Sequence, residues 1–247
     1  MSVKIAQISD THLFANPDTE MRGVVPWQSL KTVLFEVKSM QPHLLLLTGD
    51  LAEAGEPEAY DRLVELVAPL NVPAYWIPGN HDRLDVLSSR LDRPQVQSRR
   101  QLAIAGWQIM FLDSTCNTAR FGEGELSGDT LTDLDTRLSH TSDPTAIVLH
   151  HHPIPVGIDW LDTIGVRNAT DLLAILNRHD CVKLVLFGHV HLEVDRARNG
   201  IQFYGVPSTC TQVLAENATQ RERLPGFRWL ELHPDRTYRT RVIRSSS

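Results

Sequence analysis

Five short polar clusters carry side chains able to bind metal ions or move protons. They are Asp10-Thr11-His12, Gly49-Asp50, Gly79-Asn80-His81-Asp82, His150-His151-His152 and Gly188-His189-Val190-His191. Asp10, His12, Asp50, Asn80, His150, His189 and His191 together offer two carboxylates, four imidazoles and one amide oxygen. A single four-coordinate ion has no use for so many donors. Two ions sharing one carboxylate do, and a mixed oxygen and nitrogen set favours Fe, Mn, Zn or Co over Mg or Ca. His81, next to the Asn80 amide, is of the residue type that protonates or stabilises a departing oxygen.

The elements needed to bring these donors together are legible around them. Val3 to Ser9 alternates as a strand with a buried face does, and Leu44 to Leu47, Ala74 to Ile77, Ala146 to Leu149 and Val182 to Phe187 are short, mainly apolar stretches of the kind that form buried strands. Each has a cluster at or just past its carboxyl end. In α/β sheets ligands gather at that edge, so donors distant in sequence meet there. Helical spacing falls between the strands, over 27–40 with Leu30, Val33, Leu34 and Val37, and over 56–67 with Pro57 in the first turn. It recurs over 83–91, over 130–138 with Leu131, Leu134 and Leu138, and over 170–177. Leu102–Ala105 with Gln108–Leu112 reads as a hairpin, Asn199-Gly200 as the turn of another, and 226–232 with 238–243 as a third. The stretches 92–101, 116–128, 154–168 and 214–225 read as loops, and the final serines as a frayed end.

A chain of 247 residues with 42% hydrophobic content supports one large core, hence one domain over 1–247. The net charge of -6 argues against a polymeric nucleic acid partner, which needs a basic face. Cys116, Cys181 and Cys210 are odd in number and show no C-x-x-C spacing. They suggest neither a disulfide framework nor a thiolate zinc site, and a cytoplasmic location fits. No apolar run approaches the roughly 20 residues of a membrane span, so no membrane association is expected.

D-x-H, G-D, G-N-H-D, H and G-H-x-H, in this order, resemble the calcineurin-like metallophosphoesterases. The resemblance implies a four-layer αββα sandwich of two mixed β-sheets flanked by helices. It assigns Asp10, His12 and His191 to a first metal and Asn80, His150 and His189 to a second, with Asp50 bridging. Ser9 to Phe14, His150 to Pro153, Trp160-Leu161-Asp162, Arg167-Asn168-Ala169 and Pro207 to Cys210 further resemble the bacterial class III cyclic-nucleotide phosphodiesterases. Glu53 stands where purple acid phosphatases place a tyrosine ligand, so no tyrosinate colour is expected.

That subgroup implies hydrolysis of 3′,5′-cyclic AMP to 5′-AMP by metal-activated hydroxide. His81 would be the catalytic donor to the ribose 3′-oxygen, and His12, Asn80, His81 and His191 would bind the phosphate. Two divalent ions less two carboxylates and a hydroxide leave about +1, matched to a diester monoanion. The same metals would serve glycerophosphodiesters or 2′,3′-cyclic nucleotides. A nuclease shares the motifs, but the acidic charge and short chain stand against it. The resemblance also admits a homodimer, with 214–225 or the C-terminal hairpin as its contact. Asp82 reads either as an orienting group or as a surface ion pair, and Trp160 and Arg167 either touch substrate or pin their loop. His151 and His152 read as supports behind the ligands or as pocket wall rather than as ligands, because adjacent side chains seldom reach one metal together.

Overall fold

In the computed structural model, residues 2–214 and 218–246 are described. β1 (Val3–Ile8), β2 (Leu44–Thr48), β3 (Ala74–Ile77) and β4 (Val96–Ser98) run parallel, joined on one side by the antiparallel β11 (Gly226–Leu232) and β12 (Tyr238–Arg244). This gives a six-stranded sheet of order β12-β11-β1-β2-β3-β4. The second sheet has order β5-β6-β7-β8-β10-β9, from β5 (Gln101–Ile104), β6 (Trp107–Phe111), β7 (Thr145–Val148), β8 (Val182–Phe187), β9 (Val194–Arg198) and β10 (Ile201–Gly205). α1 (Pro26–Ser39), α2 (Pro57–Val67) and α3 (Leu84–Leu91) cover the first sheet, and α4 (Gly128–Ser139) and α6 (Ala169–Leu176) the second. The four-layer sandwich expected from the sequence is the observed fold.

Side chains alternate across a strand, and here both faces are buried, which explains the unbroken apolar runs. Leu45 and Leu47 pack outward against Leu30, Val33 and Leu63 of the helices. Leu44 and Leu46 point the other way, onto Ile109, Ala146, Val148, Leu184 and Leu186 of the second sheet. A parallel pair needs a crossover, so β1, β2, β3, β7 and β8 all end at one rim with their clusters just beyond the apolar core.

The sequence reading needs three corrections. The 92–101 stretch contains β4, a three-residue edge strand in which Val96 alone is buried, too little apolar pattern to register. The 154–168 loop contains the single turn α5 (Asp159–Asp162). Ser245 is not frayed: it is buried and its N–H donates to Pro225 O at 2.9 Å. Of the stretch named as a contact between copies, residues 215–217 lie outside the described residues, as does Ser247. Among the described residues no helix is long and apolar enough to cross a membrane.

Candidate metal centre

All seven donors read from the sequence converge at the rim. Asp10 Oδ1 lies 3.2 Å from His191 Nε2, and Asp50 Oδ2 lies 3.3 Å from His150 Nε2 and 4.0 Å from His12 Nε2. Asn80 Oδ1 is 3.2 Å from His150 Nε2, and the His12 and His191 Nε2 atoms are 3.1 Å apart. The rings of His150 and His189 meet edge to face at 5.1 Å. Asp10, Asp50, His12, His150 and His189 are buried.

The backbone departs from ordinary geometry here. Asp10, His12, Asp50, His189 and His191 all have φ between 45° and 67°, the left-handed region that L side chains avoid. At about 1 kcal/mol each, the strain totals about 5 kcal/mol, the size of a small domain's net stability. The sandwich beneath must offset it, and such a concentration of broken local rules marks a functional site. Gly79 has its own constraint, since a Cβ there would overlap Asp50 Oδ1 and the Asp50 N–H.

The ring tautomers follow from the partners on the far side. His150 Nδ1 donates to Thr48 O at 2.7 Å, His191 Nδ1 to Thr211 O at 2.7 Å, and His189 Nε2 to Ile164 O at 3.1 Å. His12 Nδ1 donates to Glu53 Oε2 at 2.6 Å. Carbonyl and carboxylate oxygens only accept, so in each neutral ring the other nitrogen carries a lone pair. The lone pairs of His150 and His191 are crowded against carboxylate and amide oxygens, and those of His12 and His191 against each other, acceptor against acceptor. Such a constellation is relieved by cations, and the donor set fits a dinuclear metal site. Where no cation replaces it, a proton on His150 serves the same purpose: burial pushes the Asp50 carboxyl up, but a charged His150, then His12 and His81, holds it well below the usual carboxylate range.

A family model for calcineurin-like phosphoesterases matches residues 3–193. The chain belongs to the calcineurin-like phosphoesterase family. It is 39% identical over 253 residues to the 3′,5′-cyclic adenosine monophosphate phosphodiesterase CpdA of Escherichia coli (strain K12), covering 98% of this chain and 90% of that protein. It is 36% identical over 249 residues to the 3′,5′-cyclic-nucleotide phosphodiesterase alr5338 of Nostoc sp., covering 99% and 93%. The structure of a dimetal phosphatase from Danio rerio superposes with a TM-score of 0.71 at 15% identity, covering 99% of both chains, a likeness of fold.

Around the donors, this phosphoesterase has supporting residues that the sequence reading left undecided or missed. Glu53, notable in the sequence only for standing in place of a tyrosine, has a role its spacing does not signal: its carboxylate receives the His12 proton and stands 3.5 Å from His81 Nδ1. Asp82 is an orienting group, not a surface ion pair. Its carboxylate accepts from the N–H groups of Leu51, Ala52 and Gly79 and from the Tyr60 hydroxyl, at 2.9 to 3.2 Å, tying the loop after β2 to the loop after β3. Ser208 Oγ donates to Asp10 O at 2.7 Å, which gives Pro207 to Cys210 a role in holding the first cluster.

Both nitrogens of His151 are engaged, Nδ1 with Ser114 Oγ at 2.8 Å and Nε2 donating to Gly122 O at 3.1 Å. His151 is therefore a fully buried support behind the donors rather than a ligand, although it lies within reach of His150 and His189. His152 stacks on His189 at 5.8 Å and 21°. Trp160 is exposed on α5 and does not line the cleft of about 1140 Å³ that opens beside Asn80 and His81. Arg167 pins a loop: its guanidinium donates to Glu123 Oε1 at 2.5 Å and to Thr118 Oγ1 at 3.0 Å. Burial pushes the Cys210 thiol up to about 12, in keeping with a small buried side chain.

Proposed function

We propose that this phosphoesterase hydrolyses 3′,5′-cyclic AMP to 5′-AMP with two metal ions held by the seven rim donors. Asp10, His12 and His191 would hold the first and Asn80, His150 and His189 the second, with Asp50 shared. The crowding of unprotonated ring nitrogens against carboxylate and amide oxygens carries this reading, and the position of Asp50 Oδ2 between His150 and His12 supports the sharing. The choice of substrate is supported by the names of the similar bacterial enzymes. The mixed oxygen and nitrogen donors favour Fe, Mn, Zn or Co. Three free cysteines fit a cytoplasmic protein.

When bound, the ions supply the positive charge that neutralises a phosphodiester monoanion and makes hydroxide accessible near neutral pH. The chain's own residues supply the rest. His81 Nδ1 donates to Glu53 O at 2.9 Å, which fixes the ring and leaves Nε2 for substrate. As the phosphorus gains a water oxygen and its bond to the ribose 3′-oxygen breaks, His81 passes a proton to that oxygen. His12, Asn80 and His191 would border the same phosphate position, and the cleft of about 1140 Å³ beside Asn80 and His81, a little above the usual volume of small-ligand pockets, leaves room for a nucleotide.

Product analysis tests the reading. Metal-reconstituted protein should convert cyclic AMP to 5′-AMP and lose that activity on chelation. Hydrolysis of glycerophosphodiesters, 2′,3′-cyclic nucleotides or aryl diesters without any 5′-AMP from cyclic AMP would reject the substrate. The Glu53 carboxylate behind His12 gives a second expectation. Glu53→Ala should weaken metal binding by about 10- to 100-fold, because the ring loses the group that fixes its tautomer and raises its basicity. Competition with a chromophoric chelator measures it, and unaltered affinity counts against the role.

A further inference from the structure

The cleft beside Asn80 and His81 has a second wall, formed by 113–122, that the chemistry above does not use. It presents Phe121, 81% exposed, a large apolar ring in water that packs into no core. Leaving such a ring unburied forgoes about 1.5–3 kcal/mol. Yet the ring is not on a loose strand. Glu123 Oε2 accepts from Phe121 N at 2.7 Å and from Arg120 N at 3.0 Å, while Glu123 Oε1 accepts from Arg167 Nη2. Arg167 also donates to Thr118 O at 3.1 Å, and its own N–H donates to Gly124 O at 2.8 Å. On the other side Gly122, at φ +93°, lies so close to Asn80 that a Cβ would stand 3.0 Å from the Asn80 amide nitrogen. The same Gly122 carbonyl receives the His151 proton. The backbone that carries the ring is thus held at the edge of the cleft, next to a glycine that abuts Asn80, a proposed metal ligand.

We propose that Phe121 is the platform on which the base of a nucleotide stacks when its phosphate lies at the rim donors, and that Arg167 positions it through Glu123. This rests on the proposed cyclic-nucleotide reading and adds the recognition of the base. A purine has a broad π face, and stacking on an aromatic side chain recognises it without a dedicated hydrogen-bond set. The phosphate is gripped by the rim and the base by the platform, with the ribose spanning between.

Binding of 5′-AMP and of ribose 5-phosphate to the metal-loaded protein, by calorimetry, separates base from phosphate. The wild type should prefer 5′-AMP by about tenfold. Phe121→Ala should abolish that preference while ribose 5-phosphate binds within about twofold of the wild type, and Phe121→Trp should keep it. Arg167→Ala should reduce the preference at unchanged metal content, with Arg167→Lys retaining part of it. A preference that survives Phe121→Ala overturns the platform, and one that survives Arg167→Ala overturns the positioning role. A preference lost in Phe121→Ala, in a protein that forms no 5′-AMP from cyclic AMP, rejects the substrate and leaves the platform standing.

Discussion

Asp50→Asn is expected to lower turnover of cyclic AMP by about three orders of magnitude or more and to reduce bound metal from two ions per chain to one or none. The substitution is nearly isosteric. Asp50 Oδ1 accepts the His81 N–H at 2.9 Å, a bond an amide oxygen also makes, so the loop after β3 keeps its anchor. What disappears is one of the two buried charges among the rim donors, at the atom that faces both His150 and His12. Two lone-pair nitrogens then confront a neutral amide that bridges cations poorly. Elemental analysis and single-turnover rates measure the two effects, and circular dichroism reports whether the sandwich persists. Full metal content with undiminished turnover would remove Asp50 from the shared position.

His81→Ala makes the second large expectation, and its signature is selectivity. The half-buried ring holds no proposed ligand position, so both ions should remain. Loss of a positioned proton donor costs about 10²–10⁴ in rate when the leaving group is a ribose alkoxide. A p-nitrophenolate departs without needing a proton, so hydrolysis of bis(p-nitrophenyl) phosphate should fall far less. Comparing the two substrates in the variant decides the role. An equal fall for both would make His81 a phosphate-binding group and not the donor.

Neither effect is distributed along the chain. Both sit at the ends of strands whose other residues only pack. Leu44 to Leu47 could be exchanged for other apolar residues of similar volume with modest cost, whereas Gly79 could not gain a single carbon without striking Asp50. Asp82 illustrates the middle ground: it touches no proposed substrate atom, yet it fixes two ligand-bearing loops against each other through backbone N–H groups.

The sequence by itself determined the strands and the polar clusters at their ends, and its resemblance to the calcineurin-like family implied the four-layer sandwich and the proposed donors. Apolar runs of four to six residues ending in Asp, Asn or His encode strands and the rim together, because burial on both faces and the period of a strand are local properties. The short β4 escaped because one buried valine makes no pattern. Tertiary structure alone decided which nitrogen of each histidine is free, since Thr48 O, Thr211 O and Ile164 O reach His150, His191 and His189 across 102, 20 and 25 positions of chain. It likewise decided that Glu53 backs His12, that His151 is a buried support, and that Arg167 serves the loop carrying Phe121. Residue type and spacing record what a side chain can donate or accept; only the path of the loops fixes which partner it meets.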